Sequence, residues 1–329
     1  MASRKTLLFL LAVFSEFLLL EAVIINSSRG ETNVVCIEAA RNALLKFRDG
    51  LKDPSGRLSS WVGTDCCTWQ GVGCNNQTGN VMNLDLRNIN VDSTGDYEAD
   101  VVALSSTYLG GQISDSLVDL KYLNYLDLSM NNFQNISIPS FIGSLEKLTY
   151  LNPRGAAFSG MVPPHLGNLS NLRHLDLFAW SYARQSCQDS WVSNINWLSG
   201  LSSLEYLNLG CVNLGKATTD WMQAVNTIPS LVELSLLGCQ LSTFPQSLPF
   251  VNLTSLSVLD LSHNHFRLSV LSYLAGCLIS VTSLSFSLVM LELKALFLMM
   301  PGEIFATLRS WIFQKMVLVL MRELNSYTV

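Results

Sequence analysis

No stretch of this chain is rich in lysine or arginine, and 20 basic residues against 25 acidic ones leave a net charge of only −5 over 329 residues. A balance so small and so dispersed cannot build the field that draws a protein onto a phosphate backbone, which excludes nucleic acid as a partner. A glycine-rich phosphate loop, a Gly-x-Ser-x-Gly elbow and a nucleophile beside a plausible base are missing too. Neither an enzyme nor a cofactor is expected. His263 and His265 flank Asn264, but apart from Asp260 no further ligand cluster stands nearby, so no metal site is expected. Asp127, Asp176 and Asp260 all sit in the same Leu-Asp-Leu register. One repeat position explains them better than acid–base chemistry.

What the chain has in quantity is leucine on a fixed phase. Leu126, Leu151, Leu175, Leu207, Leu234 and Leu259 follow one another at 25, 24, 32, 27 and 25 residues, most within L-x-x-L-x-x-L-x-L. One such unit cannot bury its apolar edge, whereas stacked units can, so the period predicts a solenoid. The lattice starts at Val81 and is regular at 120–135, 145–160, 169–180, 201–216, 231–245 and 253–266. The polar stretch from Asn88 to Asp100 reads as a loop excursion, and a second insertion, Trp180 to Asn196, accounts for the 32-residue gap.

Ahead of the lattice, Arg4 and Lys5 precede an apolar stretch from Leu7 to Leu20, the form of a secretory signal peptide, taken here as residues 1–28. Secretion places the eight cysteines in an oxidising compartment. Cys36, Cys66, Cys67 and Cys74 cluster over 32–75, where two bridges would staple a cap too small to hold its own core. Ala40, Leu44, Phe47 and Leu51, led by Ile37, recur at helical spacing and predict an amphipathic helix stopped near Gly50. Such a cap shields the apolar end of the first coil. Cys187, Cys211, Cys239 and Cys277 are scattered, and Cys239, three residues after Leu236, reads as a buried thiol. Secretion also gives meaning to the sequons at Asn76, Asn135, Asn168 and Asn252, and at Asn26 if cleavage spares it.

Inside each coil the leucines point inward and the residues between them face out. One outward row is Tyr125, Tyr150, His174, Tyr206, Glu233 and Val258; its neighbour is Asp127, Asn152, Asp176, Asn208, Ser235 and Asp260. Stacking would lay both rows on one concave sheet. Tyrosine offers large, fairly rigid contact area with a polar tip, so Tyr125, Asp127, Tyr150, His174, Asp176, Tyr206 and Glu233 are the candidate ligand-binding residues for a protein, peptide or glycan. The alternative is that the rings only pack against the neighbouring strand. The insertion from Trp180 is a second candidate, since loops on rigid scaffolds often carry binding.

Over 267–329 the lattice fades into degenerate repeats or a disordered tail. Leu268 to Leu291 carries no charge and is long enough to span a bilayer, but six Ser, one Thr and a Gly interrupt it, and Glu292 and Lys294 follow.

The phrases Tyr125-Leu126-Asp127-Leu128-Ser129 and Leu259-Asp260-Leu261-Ser262, together with Ala43-Leu44-Leu45-Lys46-Phe47, Ser60-Trp61 and Cys66-Cys67-x-Trp69-x-Gly71-Val72-x-Cys74, resemble plant leucine-rich-repeat receptor-like proteins. The likeness covers about residues 30–266 and lies with the group that contains the tomato receptor for ethylene-inducing xylanase. It implies an α/β solenoid, a plant-type extracellular leucine-rich-repeat superhelix with a helical, disulfide-stapled N-terminal cap. It implies the pairs Cys36–Cys66 and Cys67–Cys74, and an Asn three residues past each L-x-L core, bonded to the adjacent coil. Asn131 and Asn264 fit; Ala156, Trp180 and Val212 depart, and Pro153 replaces a core leucine. For function it implies an extracellular ligand-recognition module in defence or development, on the plasma membrane's outer face or secreted, acting through a membrane-bound co-receptor kinase. Alternatives are a secreted inhibitor of a microbial cell-wall-degrading enzyme and a truncated, non-functional product.

Overall fold

The computed structural model describes residues 34–88, 106–181, 186–217, 220–242 and 252–265. The expected signal peptide, the tail over 267–329 with its uncharged run, Cys277 and most of the first loop excursion lie outside them.

The cap opens with helix α1 (Glu38–Gly50), whose Ala40, Ala43, Leu44 and Phe47 are buried on one side. Glu38 in its first turn and Arg48 in its last both complement the helix dipole. Ile37, expected on the apolar side, precedes the helix and is 39% exposed. The chain leaves as strand β1 (Leu51–Lys52) and turns at Asp53, whose carboxylate accepts from the backbone N–H groups of Arg57 and Leu58 at 2.9 and 2.7 Å. Trp61 and Trp69 stack inside the cap with centroids 5.4 Å apart. Each indole N–H finds a carbonyl, Gln70 O for Trp61 and Val62 O for Trp69, so neither ring buries an unmet donor. The bridges are Cys36–Cys66 and Cys67–Cys74, the pairs that the resemblance implied.

Strand β2 (Val72–Cys74) runs antiparallel to β3 (Val81–Asp85), which opens the repeats. After β4 (Gly110–Gly111), which pairs back onto β1 of the cap, come β5 (Tyr125–Asp127), β6 (Tyr150–Asn152), β7 (Gly160–Met161) and β8 (His174–Asp176). The insertion forms the hairpin β9 (Trp180–Ser181) and β10 (Ser186–Cys187), then β11 (Ser190–Trp191). The last coils carry β12 (Tyr206–Asn208), a short helix α2 (Trp221–Val225), β13 (Glu233–Ser235) and β14 (Val258–Asp260).

Eight strands form one sheet in the order β14-β13-β12-β8-β6-β5-β3-β2, parallel throughout except at the cap. Leu84, Leu126, Leu151, Leu175, Leu207, Leu234 and Leu259 align as successive partners in register. Three-residue strands have no stability alone; the lattice holds because each fully buried leucine is worth roughly 1.5–3 kcal/mol. Asn131 shows how coils are tied: its amide donates to Leu86 O of the coil before and to Leu128 O and Ser129 O of its own, while its oxygen accepts from Leu109 N. Asn264 repeats the pattern with Leu236 O. In the equivalent slot Cys239 is a buried free thiol whose Sγ lies 3.1 Å from Leu209 O. Ala156 and Val212 fill the slot with apolar volume instead. Pro153 has a local cost. Having no N–H, it cannot continue the ladder beyond Leu151, and β6 pairs with β8 over two residues where the other adjacent strands of the repeat sheet pair over three.

Opposite the sheet four coils close through a 3₁₀ turn, at Asp115–Asp119, Ser140–Ser144, Pro164–Asn168 and Asn196–Gly200, and α2 stands in place of one before β13. These turns approach so closely that a Cβ on Gly143 would collide with His165 O, and one on Gly200 with Gly167 O. On the flank between turns and sheet, β7 and β11 pair in parallel, and Trp191 bridges on to Asn213.

Candidate ligand-binding face

The first outward row is a ladder of stacked rings. Tyr125 lies 4.2 Å from Tyr150, Tyr150 4.3 Å from His174 and His174 4.1 Å from Tyr206, all within 9° of parallel. Strand spacing in a parallel sheet sets that separation, so in-register aromatics have little choice but to stack. Both faces of Tyr150 and His174 are thereby covered, and all four residues are half-buried. What they offer is a continuous rail rather than separate ring faces. Glu233 on β13, in register with Tyr206, continues the row as a half-buried carboxylate.

The second row behaves differently from its expected role. Asp127 is 1% exposed and Asp176 4%, so these two candidate contact residues lie beneath the surface of the face. Their oxygens are already used. Asp127 Oδ1 accepts from Ser129 N at 2.9 Å, and its Oδ2 receives the hydroxyls of Tyr125 and Tyr150 at 3.3 and 3.4 Å and the Asn152 amide at 3.1 Å. Asp176 Oδ1 accepts from Phe178 N at 3.0 Å, and its Oδ2 lies 3.4 Å from both the Tyr206 hydroxyl and Arg154 Nη1. Asp85, Asn152, Asn208 and Asp260 make the same bond to the N–H two residues on. A short oxygen-bearing side chain turns the backbone out of each strand, which is why the register is almost always Asp or Asn.

These surroundings keep the rail uncharged near neutrality. Burial, helped by the neighbouring carboxylates, pushes the phenols of Tyr125, Tyr150 and Tyr206 above the usual tyrosine value. Burial lowers His174 against the opposing pull of Asp176 and Asp127.

A third register, two residues past the Asp row, escaped the sequence reading. Arg154 sits with its guanidinium carbon 4.6 Å from the Phe178 ring centre while paired with Asp176, and Phe178 lies 6.3 Å from Trp180. Arg87 pairs with Asp85 at 2.5 Å at one end of the face, and Arg173 with Glu205 at 3.0 Å along its edge. The same alternation that located the first two rows extends to this one.

Of the sequons, Asn76, Asn135 and Asn168 are exposed, whereas Asn252 is half-buried with its N–H on Asn226 Oδ1 at 2.6 Å. None stands on a strand of the large sheet. The Sγ atoms of Cys36, Cys66 and Cys67 lie within 4.8 Å of one another, but all three are consumed in bridges. The insertion is stapled by Cys187–Cys211, a pair that sequence spacing left open. Among the described residues no helix is long and apolar enough to cross a membrane.

Residues 38–75 match the leucine rich repeat N-terminal domain and residues 100–324 the leucine-rich repeat region. The chain is 41% identical over 247 residues to receptor-like protein EIX1 of Solanum lycopersicum and 42% identical over 275 residues to receptor-like protein EIX2 of the same plant. These matches cover 73% and 82% of this chain but 22% and 25% of those proteins, so the chain spans about a quarter of the relatives' length. The solved structure of PEPR1-AtPEP1 is similar with a TM-score of 0.52 at 26% identity, over 70% of this chain and 29% of that one.

Proposed function

Because the chain belongs to the plant leucine-rich-repeat receptor-like proteins, we propose that its open sheet face is the contact surface of an extracellular recognition module, serving defence or development and signalling only through a membrane-bound partner kinase. The single observation that carries this reading is the stacked rail Tyr125–Tyr150–His174–Tyr206, held in place by buried carboxylates. Binding on a prearranged aromatic surface loses little side-chain entropy, and truncating a central aromatic of such a patch costs about 2 kcal/mol or more. The ligand class is a protein, a peptide or a glycan, with the xylanase-receptor resemblance making an ethylene-inducing xylanase the first probe. Its association with the immobilised secreted chain should weaken roughly thirtyfold in Tyr150→Ala with thermal unfolding preserved. Equal binding by the variant would remove the rail from the contact, and release of the protein from tissue by salt alone, without detergent, would argue against membrane anchoring.

A further inference from the structure

The flank carries a feature that the sheet face does not use. Beside the Cys187–Cys211 bridge lies a groove of about 420 Å³, within the size range of small-molecule sites. Gln188, Asp189, Trp191, Asn213, Lys216 and Gln240 line it. Its walls are hydrogen-bonded to neighbouring backbone. Val162 N donates to Trp191 O at 2.9 Å, Asn213 N to Ser190 O at 2.8 Å and Gln188 N to Ala179 O at 2.7 Å. Trp191 is nevertheless 37% exposed on this fixed backbone, with Lys216 Nζ 4.8 Å from its ring centre. A large indole held open at a fixed position gains little for the fold.

The second observation is the polar lining of the groove, in which Gln188 stands apart. It is only 7% exposed, and its enclosed Oε1 has no hydrogen-bond partner among the described residues. Buried acceptors are nearly always met, so this one calls for a donor. A neighbouring void of about 20 Å³, which Gln188 also borders, has room for a water that supplies one. The groove has room for more, and its chemistry is specific: one aromatic surface ringed by two amide-bearing glutamines, an asparagine, one carboxylate and one ammonium. Sugars have that complement, with apolar C–H faces for an indole and hydroxyls that both donate and accept. One cation against one anion favours a neutral sugar.

We propose that this disulfide-stapled groove binds a short neutral oligosaccharide, with Trp191 as the stacking surface and the side chains of Asn213, Asp189 and Gln240 meeting the sugar hydroxyls. The site is separate from the open sheet face and stands whether or not that face binds a ligand. Cellotetraose, chitotetraose and maltotetraose are the probes, titrated against the full secreted chain by saturation-transfer difference NMR. At least one should bind saturably. Trp191→Ala and Lys216→Ala should weaken it tenfold or more, Asn213→Ala severalfold, and Tyr150→Ala not at all, with circular dichroism confirming that each variant is folded. No saturable binding by any of the three, undiminished binding in Trp191→Ala or Asn213→Ala, or loss of binding in Tyr150→Ala would overturn the assignment.

Discussion

Asp127 and His174 show how a single side chain sets the character of the face. The Asp127 carboxylate gathers a backbone N–H, two phenol hydroxyls and an amide, and so fixes the angle at which Tyr125 and Tyr150 meet. His174, sandwiched between Tyr150 and Tyr206, has its charged form disfavoured by burial. A histidine held below its ordinary value adds stability that is whole above the unfolded value near 6.5 and is lost as pH falls through the lower folded value. The groups facing it, Asp127 and Asp176, act against the shift without reversing it. The imidazole signal of His174, followed by NMR, should therefore titrate below 6.5, and thermal stability should decline with acid over that window. His174→Phe, which keeps the stack, should flatten that part of the decline; a titration at or above the ordinary value would contradict the role of burial.

Among the elements, the 3₁₀ turns set the pitch of the stack as firmly as the strands do. Gly200 meets the Gly167 carbonyl so closely that any Cβ there forces the two coils apart. Gly200→Ala should lower stability by about 1–3 kcal/mol, as overpacking does elsewhere, and urea unfolding measures it. The same change at Gly56, where nothing lies within 4 Å but φ is +71°, separates backbone strain from collision. If Gly200→Ala is neutral, the turns are not in hard contact. To the strand pairings that join the cap to this stack, one side chain adds four bonds. Arg57, half-buried, donates to Leu86 O, Arg87 O, Thr107 O and Asn131 Oδ1, linking the turn after α1 to the first two coils.

On the scale of the whole molecule, the solenoid separates its surfaces. The large sheet has no sequon on its strands, and the exposed Asn76, Asn135 and Asn168 stand in the cap, a loop and a turn. A secreted chain should lose mass in three steps on treatment with peptide-N-glycosidase, and Asn→Gln at each of the three should remove one step. Asn252, half-buried and tied through its N–H to Asn226, should be occupied least. An unshifted mass in a chain recovered from a plant expression host would remove the secretory-pathway reading.

The leucine spacing by itself determined the registers, because which side of a strand faces inward is a local property of alternating residues and needs no knowledge of the neighbour. The cap sequence likewise announced its helix and, through resemblance, its two bridges. Only the tertiary structure decided what lies across from what. Asp127 proved buried, the tyrosines faced one another, Arg154 found Phe178, and Cys187 met Cys211. Each of these depends on how far one coil advances before the next returns alongside it. That advance is set by insertions, glycine contacts and the missing N–H of Pro153, and it places partners 24 residues apart in sequence within bonding reach.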